Sequence, residues 1–235
     1  MTTNLLLLLL QLAGWSGQAR GQAPSDSVVY GLSPASRLVV RTGRSGLFGF
    51  AGHTHVIRAR AVTGQLVYRP GTAASSLRLS VPTDSLEVLT PPDTAEIRKV
   101  TQAMRTEVLH VDKYPRMSFA ADSLRARSGK MDFPLAVTME GVTRRIPVAA
   151  DVSLSQDTIR ARGTFNARQT DFGIKPFRGG PAGTVKVADE VKFCFDLVAV
   201  RAGAQAPVAQ RAAAVGDGTT VPGCVEKTDS TRPPF

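Results

Sequence analysis

Aromatic residues, histidines and cysteines are all scarce in this 235-residue chain, and each scarcity closes off a class of function. Aromatics make up 6% of the residues, too thin a supply for a surface that stacks successive bases. Lys and Arg total 29, yet they occur singly along the chain, as at Arg37, Arg41, Arg58, Arg60, Arg78, Arg125, Arg127, Arg160 and Arg162. The formal charge of +10 therefore reads as a solvated exterior: an anionic membrane surface is a conceivable peripheral partner, and no nucleic acid is expected. No apolar run approaches the ~20 residues that a bilayer-spanning helix requires. The longest, Leu5 to Leu10 with Leu12 and Ala13 beyond, has the length of a secretory signal instead. Small residues at Gly17 and Ala19, and at Gly21 and Ala23, place the expected cleavage between 19 and 23, so residues 1–23 form the leader. No Cys follows the leucine run, which argues against a lipid-anchored amino terminus. The expected location is periplasmic or secreted.

Motifs for bond-making chemistry are missing as well, and no enzyme is expected. Gly43-Arg44-Ser45-Gly46-Leu47 falls one glycine short of a nucleophile elbow and precedes no helix that would expose the Ser. Gly179-Gly180-Pro181-Ala182-Gly183 lacks the Lys-Ser/Thr and the helix start of a phosphate loop. It suits a loop at a barrel mouth, where Arg168, Lys175 and Arg178 are candidates to meet a phosphate or carbonyl head group. The three histidines are His53, His55 and His110. In an extended segment His53 and His55 face one side, which makes a metal or haem site with a redox or hydrolytic role the alternative reading. No carboxylate or Cys cluster joins them, so neither metal nor cofactor is the first expectation.

What the chain does have is alternation. Apolar residues occupy every second position in eight segments, near 36–42, 60–69, 75–82, 115–125, 130–139, 144–154, 157–167 and 187–199, each closed by Gly, Pro, Asp or Ser. That is the period of half-buried strands, and eight in one domain predict an all-β fold with the sheet closed on itself as a barrel. In the clearest segment Met131, Phe133, Leu135, Val137 and Met139 share one face, while Lys130, Asp132, Thr138 and Glu140 share the other. Leu38, Val40, Leu66, Tyr68 and Leu79 belong to the same dry surface, as do Met117, Phe119, Ile146, Phe165, Phe193 and Phe195. Long flexible and aromatic side chains of this kind suit a lining that holds an oily ligand.

One stretch breaks the period. After Pro91-Pro92, Asp93 and Glu96 are spaced as a helix N-terminal box, and Ile97, Val100, Met104 and Val108 follow at helical spacing, predicting an amphipathic helix over about 94–109. It either plugs the end of the barrel as a lid, with Met104 joining the lining, or packs outside as a strap. Cys194 alternates outward between Phe193 and Phe195, and Cys224 lies in an aperiodic segment, 202–235, read as a flexible polar tail. In an oxidising compartment a bridge between them would pin the tail to the barrel wall; two unpaired thiols are the other arrangement.

Several motifs then point to a family. Ala51-Gly52-His53-Thr54-His55-Val56, Thr63-Gly64-Gln65-Leu66 and Leu77-Arg78-Leu79-Ser80-Val81-Pro82-Thr83-Asp84-Ser85-Leu86 stand in the order of the YceI-like proteins. Tyr114-Pro115-Arg116-Met117-Ser118-Phe119, Glu140-Gly141-Val142-Thr143-Arg144 and Thr170-Asp171-Phe172-Gly173-Ile174 continue it. Over roughly 34–201 the chain resembles that family. The resemblance implies a secreted, eight-stranded antiparallel, lipocalin-like barrel whose long hydrophobic cavity binds a polyisoprenoid, an isoprenoid quinone or a related lipid.

Overall fold

The alternating segments become antiparallel strands in the computed structural model, which describes residues 27–45, 54–89, 94–179, 185–204 and 221. In chain order the strands are β1 (Val28–Leu32), β2 (Arg37–Ser45), β3 (Val56–Ala59), β4 (Thr63–Tyr68), β5 (Ser75–Pro82) and β6 (Leu86–Val88). They continue with β7 (Arg116–Leu124), β8 (Gly129–Met139), β9 (Val142–Leu154), β10 (Thr158–Arg168), β11 (Arg178–Gly179) and β12 (Val185–Arg201). Between β6 and β7 lies the helix α1 (Thr94–Ala103), prolonged by a π-helical turn at Met104–Val108.

Strand pairing closes the sheet into an eight-stranded antiparallel barrel. Its first three staves are each broken in two. Strands β1 and β2 both run along β12, with Leu32 opposite Ala199 and Arg37 opposite Asp196. On their other side β1 pairs β4 and β2 pairs β3; β4 and β3 in turn pair β5 and β6. From β7 to β10 and on to β12 the chain is a plain meander. Four residues, 33–36, bulge opposite two on β12, and the bulge is tied down by Ser33 N–H to the Val198 carbonyl at 2.7 Å and by the Ser36 hydroxyl to the same carbonyl at 3.1 Å. A 3₁₀ turn at Thr83–Ser85 makes the corresponding break between β5 and β6. Such breaks bend a strand around a narrow barrel without leaving buried backbone groups unpaired.

The predicted strands match β2, β4, β5, β7, β8, β9, β10 and β12. The short strands β1, β3, β6 and β11 were not anticipated, and β1 sits upstream of the expected domain start at 34. The expected leader at 1–23 lies outside the described residues. Turn chemistry sets the longest hairpin: Glu140 and Gly141 both have positive φ, 47° and 76°, and Met139 pairs directly with Val142, giving a two-residue turn between β8 and β9.

Inside, the inward faces meet in one main core that holds Leu38, Leu79, Phe119, Leu135, Val137, Phe165, Phe193 and Phe195. Phe165 stacks on Phe193 with centroids 4.7 Å apart, and Phe119 meets Phe193 edge-on at 6.2 Å. Phe195 finds room because position 163 is glycine; a Cβ there would come within 2.6 Å of its ring and 2.5 Å of the Ala149 carbonyl. A satellite cluster of Tyr30, Leu66, Ile159 and Ala199, with Tyr68 and Leu154 against it, fills the end away from α1. There the Tyr30 hydroxyl donates to the Gln156 carbonyl at 3.0 Å, and burial raises its pKa above the ordinary tyrosine range.

Outside, charge pairs stripe the wall. Asp196 on β12 accepts from Arg160 at 2.7 and 2.5 Å and from Arg162 at 3.2 Å, both on β10. One outward strip is apolar and dry: Val39, Cys194 and Val221 are each 0% exposed, and Val56 packs with them. Val221 belongs to the segment expected to be a flexible tail, and here it covers the wall. Cys194 is disulfide-bonded. Its expected partner, Cys224, lies outside the described residues.

Candidate functional site

Helix α1 lies across the barrel end at which β8 finishes and β9 begins. Its polar anchors are backbone-directed: the Val88 N–H donates to Thr101 Oγ1 at 3.1 Å, and Arg105 donates to the Leu86 carbonyl from Nε at 3.1 Å and Nη2 at 2.9 Å. All three bonds fasten the helical segment to β6. The π-helical turn carries Met104 and Val108, and Leu109 follows with its N–H on the Met104 carbonyl at 2.9 Å. All three pack against the main core. Past them His110 turns the chain with φ 41°, its Nδ1 lying 2.7 Å from Glu140 Oε1, which ties the end of the helix to the β8–β9 turn.

Between the helix and the barrel interior is a cavity of about 490 Å³. The helix side contributes Val100, Ala103, Met104, Val108 and Leu109; the barrel contributes Val40, Ile57, Leu86, Val88, Met117, Met139, Val191 and Phe193. A loop from Gln169 to Phe177 supplies Gln169, Ile174 and Phe177. Gln169 is held by its Nε2 donating to the Ala188 carbonyl at 2.8 Å. Thr42, His55, Glu96, Lys99 and Lys186 are the other polar members of the lining. Of the two positions open for the helix, the lid is the one found.

The residues expected to line a cavity separate by depth. Val40, Met104, Met117, Met139 and Phe193 border it. Leu38, Leu79, Phe119, Leu135, Val137, Phe165 and Phe195 face inward as expected but are packed in the main core, where the Phe119, Phe165 and Phe193 rings fill the middle of the barrel. Phe133 and Ile146 are half-buried against that core, Met131 is buried near the start of β8, and Leu66 and Tyr68 belong to the far cluster. The reason is geometric. Alternation assigns a face, and distance along a stave of eleven residues such as β8 decides whether that face meets empty space or a ring.

The expected head-group residues are placed differently. Arg168 is exposed and donates to Asp189 Oδ2 at 3.2 Å, on the outer wall. That carboxylate also accepts from the Thr170 N–H and hydroxyl; burial pushes its pKa up, but the Thr170 and Arg168 bonds outweigh it and hold it below the ordinary range. Lys175 is exposed on its loop, and neither it nor Arg178 borders the cavity. Arg178 does sit directly opposite Lys186 in the β11–β12 pair. The basic residues at the cavity are Lys99 and Lys186, neither of which stood out, because each follows the ordinary polar spacing of its element.

For the metal alternative, His55 borders the cavity, His53 lies outside the described residues and His110 is engaged with Glu140. Among the described residues no group of three or more His, Cys, Asp or Glu is arranged to hold a metal ion. No helix among them is long and apolar enough to cross a membrane.

Three comparisons bear on this geometry. A family model described as a YceI-like domain matches residues 31–199. Among solved structures, Burkholderia cenocepacia BcnA superposes with a TM-score of 0.54 at 18% identity, over 71% of this chain and 98% of that one. A polyisoprenoid binding domain from Saccharophagus degradans, implicated in plant cell wall breakdown, does so with a TM-score of 0.55 at 16% identity, over 74% and 99%. No curated protein matches the chain.

Proposed function

The chain belongs to the YceI-like domain family, and from that premise we propose that it is a binding protein for an apolar-chain lipid of the isoprenoid or related class, acting in the periplasm or outside the cell. The observation that carries the reading is the cavity of about 490 Å³ bordered by α1 and walled by aliphatic, methionine and phenylalanine side chains. That volume falls within the ~300–1,000 Å³ of small-molecule sites. The mechanism is partition. Apolar chain leaves water for the cavity at about 25 cal/mol per Å² buried, and the protein makes or breaks no bond. The likeness to a polyisoprenoid binding domain supports the barrel, and the apolar lining supports the ligand class.

Organic extraction of protein purified in its native state, followed by mass spectrometry, tests the reading. The expected result is an amphiphile or prenyl lipid retained at a substantial fraction of one equivalent. Stripped protein should rebind it, and a Val100→Phe variant should not. Near-stoichiometric zinc, iron or haem in untagged protein, with no lipid, would replace this reading by the histidine-based one.

A further inference from the structure

The ladder between β9 and β10 stops short of the cavity end. Its last pair is Thr164 with Ala149, although β10 runs on through 165–168 along β12 and β9 occupies 142–148 along β8. The same register would set Asn166 against Pro147 and Arg168 against Arg145. Pro147 stands opposite Pro134 on its β8 side, a pair in which neither residue has an N–H, so its backbone faces β10 with nothing to donate. Two arginines directly across a strand pair repel each other. The strands part, and the 3₁₀ turn at Gln169–Phe172 fills the opening, with Phe172 in the main core and 1% exposed. A recess remains beside that turn. Ile146 and Ala167 line it from the inward faces of their strands, Arg145 and Asn166 from the outward faces, and Asp171 and Phe172 from the turn, so it cuts into the thickness of the wall. It lies one strand from the cavity: Ala167 pairs with Val191, which borders the cavity, and partners in an antiparallel pair stand ~4.5–5.5 Å apart. The turn is what divides the two hollows, since Gln169 and Ile174 border the cavity while Asp171 and Phe172 border the recess. Along the barrel axis there is no such continuation. Phe165 and Phe193 stack across the middle, Phe119 closes on them edge-on, and Tyr30, Leu66 and Ile159 fill the far end.

Resting on the lipid-binding reading above, we propose that the recess between β9 and β10 is a second arm of the ligand site, and that a long prenyl chain bends out of the cavity into it past Phe172 instead of following the barrel axis. The turn can move without unzipping the wall. Its ties to β12 run through side chains: Asp189 accepts the Thr170 N–H at 2.9 Å and the Thr170 hydroxyl at 2.7 Å, and Gln169 donates to the Ala188 carbonyl at 2.8 Å. Swinging the turn outward breaks those bonds and no strand pair. Gly173, with φ 80°, follows the turn and supplies a hinge in a backbone region that other residues rarely enter. Where the Phe172 ring leaves the core the chain takes its place, so apolar contact is exchanged rather than lost. A short chain is held by the cavity alone; the second arm adds buried surface only for a longer one.

Two prenyl alcohols of different length, farnesol and solanesol, test the second arm on the stripped full chain, by competition with a fluorescent prenyl-lipid probe. Solanesol should bind at least about tenfold more tightly than farnesol, because more of its chain leaves water. In Ile146→Trp, which places an indole in the recess, that preference should fall to near parity; circular dichroism checks that the variant is folded. Photolabelling needs no variant: a solanesyl probe carrying a diazirine at its far end should label residues 143–147 or 166–172 of the unmodified protein, as located by peptide mass spectrometry. Label on Tyr30, Leu66 or Ile159, or on α1 alone, would overturn the inference, as would solanesol bound no more tightly than farnesol or a preference that survives Ile146→Trp. Lipid binding would stand in each of those cases, since farnesol still binds. Failure of both alcohols would instead bring down the lipid-binding reading and this inference with it.

Discussion

Single residues in this barrel act through what lies across the strand from them. Asp196 shows it best. Burial by itself pushes its carboxyl pKa up, but the paired bonds from Arg160, with Arg162 beside them, win and hold it below the ordinary value of 3.8. The folded state therefore prefers the carboxylate more than the unfolded chain does. Its contribution is complete above the unfolded value near 3.8 and is lost as pH falls through the lower folded one. Asp196→Asn should cost stability at pH 7 and shrink the further loss seen on acidifying below about pH 4. Denaturant midpoints of both proteins from pH 7 to pH 2 measure this, and parallel curves for the two would show that the pairing contributes nothing to acid unfolding. Gly163 is the opposite kind of residue, one whose missing side chain lets Phe195 lie flat against β10.

At the scale of elements, the tail segment is the least expected feature. The outward strip of Val39 and Cys194 would be an apolar patch on the barrel wall, and Val221 removes it from water. Only two cysteines exist in the chain, and Cys194 is bridged. A Cys194–Cys224 bond closes a loop of about 30 residues, which loop-closure entropy converts to roughly 3–4 kcal/mol against the unfolded state. Cys224→Ser is expected to lower the unfolding free energy by about that amount and to make Cys194 reactive to a thiol reagent without reductant. An unchanged midpoint, or a thiol already reactive in the parent protein, would mean that the tail is held by Val221 packing alone. The eight long strands and the helix were legible because each repeats its period several times. Strands β3 and β6, with four and three residues, are too short to show one; β2 offers β3 an edge, β3 offers one to β6, and the Thr101 and Arg105 side chains satisfy the backbone on the other side of β6. Legibility of the site was of the same kind. Met117, Met139 and Phe193 could be assigned to the interior face from spacing alone. Their nearness to the cavity, and the core packing of Phe119 and Leu135, depends on how far along the barrel each stave has run. Lys99 and Lys186 were hidden because a lysine on a polar helix face or near a strand start is ordinary until the fold sets both along one cavity.

Considered as a whole, the molecule is a barrel with two unlike halves, solid around the phenylalanine stack and hollow beneath the helix. Substitutions that add volume should therefore have opposite consequences in the two halves. Phe119→Trp enlarges a side chain that is 3% exposed and already in edge contact with Phe193, so overpacking should cost about 1–3 kcal/mol. Val100→Phe adds a ring to a half-buried helix position that borders empty space, and its cost should stay below about 1 kcal/mol because nothing must be displaced. Binding reverses the order: the helix variant fills the space a ligand chain needs, whereas Phe119→Trp changes the core and leaves most of the lining intact. Denaturant midpoints paired with titration of both variants by a fluorescent prenyl-lipid probe read the two effects independently. Equal stability losses in the two variants would mean that the space beneath α1 is closed in solution by repacking of the lid, and a barrel packed solid from end to end would have nowhere to hold a lipid.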